Sequence, residues 1–106
     1  MDAEELKTRT KQFAIDVGRL SELLPETHVN IAYKRQIIRS SSSTCANYRA
    51  SRRAKSDADH LNKLKIVEEE LDESLFFLEL LTAFNPVFKE RIDVFIKRER
   101  FYSGSL

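Results

Sequence analysis

Two glycines, Gly18 and Gly104, and two prolines, Pro25 and Pro86, are all that punctuate this chain of 106 residues. Sheets need turn chemistry every dozen residues or so, supplied mostly by glycine and proline. A chain this poor in breakers folds into a few long helices. Its length suits a single domain with a small core, and the whole of residues 1–106 is read as one. The N-terminal stretch MDAEELKTRTKQ is charged, and no run approaches the roughly 18 apolar residues of a membrane span. The expectation is a cytoplasmic protein with no membrane partner. The single cysteine, Cys45, excludes an intrachain disulfide and any site built from several thiolates. It reads as a small buried hydrophobe.

Net charge is only +1, but the charges are unevenly placed. No acidic residue occurs between Glu26 and Asp57, where Lys34, Arg35, Arg39, Arg49, Arg52, Arg53 and Lys55 supply seven positive charges. The next block, Asp57 to Glu79, carries eight carboxylates against Lys63 and Lys65. Opposite charge on neighbouring elements fixes their pairing; an acid-free basic element also suits a polyanion.

Apolar residues set the helices. Leu6, Phe13, Val17, Leu20 and Leu24 form one stripe, which Pro25 stops, so a first helix is expected over about 2–24. A third is expected over 57–84, capped by Ser56 with carboxylates in its first turn. Leu61, Leu64, Val67, Leu71, Leu75, Leu78 and Thr82 share its inward face. Ile66, Phe77, Leu80, Leu81 and Phe84 lie off that stripe and need cover, from a fourth helix or from another subunit. Asn85 and Pro86 read as N-cap and first position of a fourth helix over 86–100, followed by a frayed tail at 101–106.

The segment RSSSSTCANYRASRRAK, from Arg39 to Lys55, is either a flexible linker with a basic tail or the middle of a helix. Counting favours the helix. Ile31, Ile37, Ile38, Ser41, Thr44, Cys45 and Tyr48 fall on one arc of a helical wheel. Arg35, Arg39, Ser42, Ala46, Arg49 and Arg53 form a second stripe, and Gln36, Ser40, Ser43 and Asn47 a third. A linker has no such order, and this one lacks both glycine and proline. A second helix is therefore expected over 29–53. Its serines can bond back to the carbonyl one turn earlier, and their small size admits a neighbouring helix closely. Four helices with short connections make an antiparallel up-and-down four-helix bundle, an all-α fold.

Chemistry is sparse. A di-iron bundle needs glutamates on two helices and Glu-x-x-His on two more; here there is one Asp57-x-x-His60, and His28 has no such partner. No phosphate-binding glycine loop, metal-ligand spacing or nucleophile with an adjacent base emerges, so no catalytic residue, cofactor, metal or small-molecule substrate is expected. The arginine stripe is the one patch with a mechanism. Spread over about 27 Å at 1.5 Å per residue, it could neutralise several phosphates in a row. Tyr48 could stack on a base, but its place on the apolar arc favours the core.

The stretch QIIRSSSSTCANYRASRRAKSDADHLNKLKIVEEELDESLFFLELL, with FAIDVGRLSELLP upstream, resembles the four-helix-bundle proteins encoded within intervening sequences of bacterial 23S ribosomal RNA genes. The likeness runs from about Phe13 to Asn85 and is carried by Gln36, Arg39, Ser40, Ser43, Ala46 to Ala50, Arg52 to Lys55, Ser74 and Leu78 to Leu81. It implies an up-and-down bundle, commonly a ring-like homopentamer, and distant kinship with retroelement accessory proteins that bind nucleic acid through basic surfaces. It implies no catalytic residues. The expected partners are thus further copies of the chain and RNA or DNA. Lys34, Arg35, Arg39, Arg49, Arg52, Arg53 and Lys55 are the nucleic-acid candidates, and Gln36, Ser40, Ser43, Asn47, Ile66, Phe77, Leu80 and Phe84 the helix-contact or subunit-interface candidates. The rival reading is a structural or protein-interaction module in which the same arginines pair with the carboxylates of the third helix.

Overall fold

Each of the three long helices begins on a side-chain oxygen one residue upstream. Asp2 Oδ1 accepts from the Glu5 N–H at 2.8 Å, Thr27 Oγ1 from Asn30 at 3.1 Å, and Ser56 Oγ from Asp59 at 3.1 Å. These bonds satisfy donors that a helix start otherwise leaves open. The computed structural model describes the backbone of residues 1–103 and side chains as far as Arg100. It contains α1 (Ala3–Leu23), α2 (His28–Ser51), α3 (Asp57–Phe84) and α4 (Lys89–Ser103), with a 3-10 turn, Pro86–Phe88, leading into α4. The helices pack as an all-α four-helix bundle, α2 against both α1 and α3, and α4 back along α3.

Several boundaries differ from expectation for local reasons. α2 opens at His28 behind the Thr27 cap, one residue before the expected start at 29, and stops at Ser51, where Arg52 is the C-cap. Residues 101–103, expected to fray, continue α4, while 104–106 of that tail lie outside the described residues. Asn85 does not cap with its side chain. Its amide turns inward instead and exchanges two hydrogen bonds of 2.8 Å with Asn30. Asn30 Nδ2 also donates to Pro25 O at 2.9 Å, and Asn85 Nδ2 to Leu81 O at 2.8 Å. This buried pair ties the end of α1, the start of α2 and the end of α3 into one joint.

The core runs from Phe13, Val17, Leu20 and Leu24 through Ile37 to Leu71, Leu75, Leu78 and Leu81, closed by Ile92 and Ile96 of α4. Leu81, expected off the stripe, is fully buried there. At 1.5 Å per residue α4 is about 22 Å long against about 42 Å for α3, so it covers roughly half of the bundle. Beyond it, Leu6, Tyr48, Val67 and Leu64 form a separate three-helix cluster. Leu61, assigned to the inward face, is 63% exposed. On α2 the expected inward arc divides. Ile37, Ser41, Thr44 and Tyr48 are buried; Ile31 and Ile38 remain exposed and Cys45 is only half-buried. Residues 31, 38 and 45 are seven apart, a row that drifts to the edge of the arc.

A chain of charges fastens α4 to α1. Glu99 Oε1 receives Arg9 Nη2 at 3.2 Å and Arg98 Nε at 3.0 Å, and Arg98 Nη2 reaches Asp16 Oδ2 at 2.9 Å. Burial holds the Glu99 carboxyl above the ordinary carboxylate range, against the opposing pull of Arg98 and Arg9.

Two outcomes follow for stability. Asn30→Ala leaves the Asn85 carbonyl oxygen and one of its two amide N–H groups buried without a partner, at a cost of about 1–3 kcal/mol in urea unfolding; adding Asn85→Ala should cost less than the sum of the singles. Because the folded state holds the Glu99 proton more tightly than the unfolded chain, stability contributed by this group falls as pH rises through and above the ordinary carboxylate range. Glu99→Gln removes that dependence, so its stability relative to wild type should climb between about pH 4 and 7. A decline over that range would show that the ion pairs outweigh burial.

Candidate nucleic-acid interface

Packing on both flanks leaves α2 one outward edge, and the arginine stripe straddles it. Arg35 marks the middle of that edge on the helical wheel, whereas Arg53 lies two residues past the end of α2. Arg39 is displaced towards α3 and Arg49 towards α1. An angular spread of about 80° between Arg39 and Arg49 gives them different fates.

Arg39 is claimed by α3. Its Nη1 lies 3.2 Å from Glu70 Oε2 and its Nη2 2.5 Å from Glu73 Oε2. The hydrogen bond to Glu73 raises the guanidinium pKa, helped by the charge of both glutamates. Lys34 is also committed: its Nζ donates to Leu24 O at 2.6 Å, closing the C-terminus of α1. Both were assigned to a nucleic-acid surface, Arg39 from its place on the arginine stripe and Lys34 as a neighbouring cation, and both make contacts within the chain. The sequence could not show which carboxylates or carbonyls would come within reach.

The other five cations are differently placed. Arg35, Arg52, Arg53 and Lys55 are exposed, and none of the five, Arg49 included, has an ion pair among the described residues. Arg49, Arg52, Arg53 and Lys55 cluster at the corner where α2 ends and α3 begins. His60 Nδ1 donates to Ser51 O at 2.8 Å and pins that corner. Not all of it is positive. Tyr48 feels Arg52 and also Asp2 and Glu4 of α1, which approach from the N-terminal side; burial is the main reason its phenol pKa is raised. Tyr48 itself is 3% exposed and its hydroxyl donates to Ala3 O at 3.4 Å, so it belongs to the core.

On the α1 flank Arg49 faces a groove whose other cation is Lys11. Lys11 was not among the candidates, and only the antiparallel register of α1 against α2 reveals it as the residue opposite Arg49.

The contact candidates separate as well. Ser40 and Ser74 are both fully buried with their hydroxyls 2.7 Å apart, at the meeting of α2 and α3. Thr44 Oγ1 bonds back to Ser40 O at 2.9 Å, and Ser41 Oγ to Ile38 O at 3.3 Å. Ser43 accepts from Asn47 Nδ2 within α2, at 2.9 Å to its carbonyl and 2.9 Å to its hydroxyl, and Gln36 is exposed, so within the chain it packs against no neighbouring helix. Phe77 and Phe84 each lie 5.9 Å from Tyr33 of α2, ring centroid to centroid, and Phe77 lies 5.5 Å from Phe76. Part of their cover therefore comes from α2. Ile66 and Leu80 are half-buried; Phe76 and Phe84 stay 52% and 55% exposed.

Among the described residues no group of three His, Cys, Asp or Glu could hold a metal ion, and no helix is long and apolar enough to cross a membrane. Residues 4–100 match the family model described as 23S rRNA-intervening sequence protein. A solved structure from Bacteroides thetaiotaomicron VPI-5482, described as a protein with unknown function from the S23 ribosomal protein family, superposes with a TM-score of 0.88 at 28% identity. The match covers 98% of this chain and 93% of that one. No curated protein matches the chain.

Arg39→Gln should cost about 0.5–1 kcal/mol at low salt, since the clamp is solvent-exposed, and less at high salt. Denaturation at two ionic strengths checks this; a cost unaffected by salt would mean that the side chain acts by packing.

Proposed function

The chain belongs to the 23S rRNA-intervening sequence protein family, and on that premise we propose that it is a non-enzymatic, self-associating four-helix bundle of the cytoplasm that binds RNA or another nucleic acid through the free cations of α2 and of the turn that follows it. One observation carries the reading. In a segment without a single carboxylate, five of seven cations, Arg35, Arg49, Arg52, Arg53 and Lys55, have no ion pair among the described residues. Surface arginines set along a rigid helix neutralise phosphates and displace counterions without reading bases. A carrier of net charge +1 binds weakly alone; repetition around an oligomer supplies avidity. Half-exposed aromatic residues on α3, Phe76 and Phe84, support self-association. A ring of five subunits is what family resemblance suggests.

The in-chain commitments of Arg39 and Lys34 favour a second reading, in which basic and acidic helices merely hold one another and the surface serves protein contacts. Fluorescence anisotropy with a labelled structured RNA and a labelled DNA duplex separates the two. The expected result is binding whose log–log salt slope is about −2 to −4, reduced by about one for each of Arg49→Gln, Arg52→Gln and Arg53→Gln. The Arg39→Gln variant should keep most of the affinity. No binding even at low salt would leave the second reading, and light scattering that reports a monomer at micromolar concentration would remove the oligomer.

A further inference from the structure

An open groove of about 440 Å3 runs between α1 and α2, lined by Lys11, Ile15, Ser42, Cys45, Ala46 and Arg49. Three other grooves on the surface each present a carboxylate: Glu68 in one, Asp16 and Glu90 in another, Glu68 and Asp72 in the third. The α1/α2 groove presents none, and neither of its cations has an ion pair among the described residues. Arg49 Nε is moreover buried without a hydrogen-bond partner among the described residues. Native structures leave few buried donors unbonded, and a guanidinium N–H forms its strongest bonds with anionic oxygen.

Resting on the nucleic-acid reading above, we infer that the phosphodiester backbone crosses this groove instead of tracking the outer edge of α2 alone, with Lys11 and Arg49 holding a phosphate from opposite walls. Lys11 thereby becomes a contact residue on a second helix. Low-dielectric walls without opposing charge concentrate the field of the two cations in the groove. Arg52 and Arg53, exposed in the turn just past the end of α2, continue the positive track outside it, which suits a polymer better than a free anion. The lining residues Ile15 and Ala46 offer no ring on which a base could stack, so the groove recognises backbone and not sequence.

The chain's single cysteine lines this groove and is half-buried, which makes it a native reporter. Alkylation of Cys45 by uncharged iodoacetamide, followed by mass spectrometry, should slow several-fold when the wild-type protein is saturated with a structured RNA or a DNA duplex. Lys11→Gln should weaken binding several-fold and lower the salt slope by about one. If anisotropy shows binding while Cys45 reacts at its free rate and Lys11→Gln binds normally, the groove is excluded and the edge of α2 remains as the binding surface. Equal protection by millimolar inorganic phosphate would overturn a polymeric ligand. Absence of any binding at low salt would overturn the groove and the proposed function together.

Discussion

Two buried hydroxyls set the distance between the central helices. Ser40 and Ser74 meet at 2.7 Å with no exposed surface, and only residues this small allow the backbones of α2 and α3 to come so near. The two hydroxyl protons suffice for the contact: Ser74 Oγ donates to Glu70 O at 2.9 Å and accepts from Ser40 Oγ, so the polar contact sits in the interior with both donors used. From that approach the rest follows. Arg39 falls beside Glu70 and Glu73, Tyr33 beside Phe77 and Phe84, and the remaining arginines are turned away from α3.

The helix that looks uniformly basic is divided by its neighbours. Arg39 and Lys34 are used to align helices, whereas the cations nearer the α2–α3 corner make no such contribution. One helix thus presents an ion-paired arginine and an unpaired one about 80° apart around its axis, at positions 39 and 49.

Much of this was legible in the sequence because it depends on periodicity and caps. The stripe through Phe13, Val17 and Leu20, the Ser56 cap and the helical character of the serine run are local properties that residue types determine. What could not be read depends on partners distant in the chain. Asn85 looks like a helix cap until Asn30, fifty-five positions away, offers it a better set of bonds. Cys45 looks like core until the width of the α1/α2 contact is known, and Lys11 looks like any surface lysine until it stands across from Arg49. Leu61 has the correct period but lies beyond the reach of α4.

That short last helix gives the bundle two unequal ends. Where α4 packs, four helices, the Asn30–Asn85 joint and the Glu99 charge chain all contribute; at the far end three helices share the small cluster around Leu6, Tyr48 and Val67. Amide protons at the three-helix end should accordingly exchange by local opening well before those under α4. The cations at the end of α2 lie on this weaker half, so a ligand that spans α1 and α2 there acts as a splint, adding protection where the chain itself provides least.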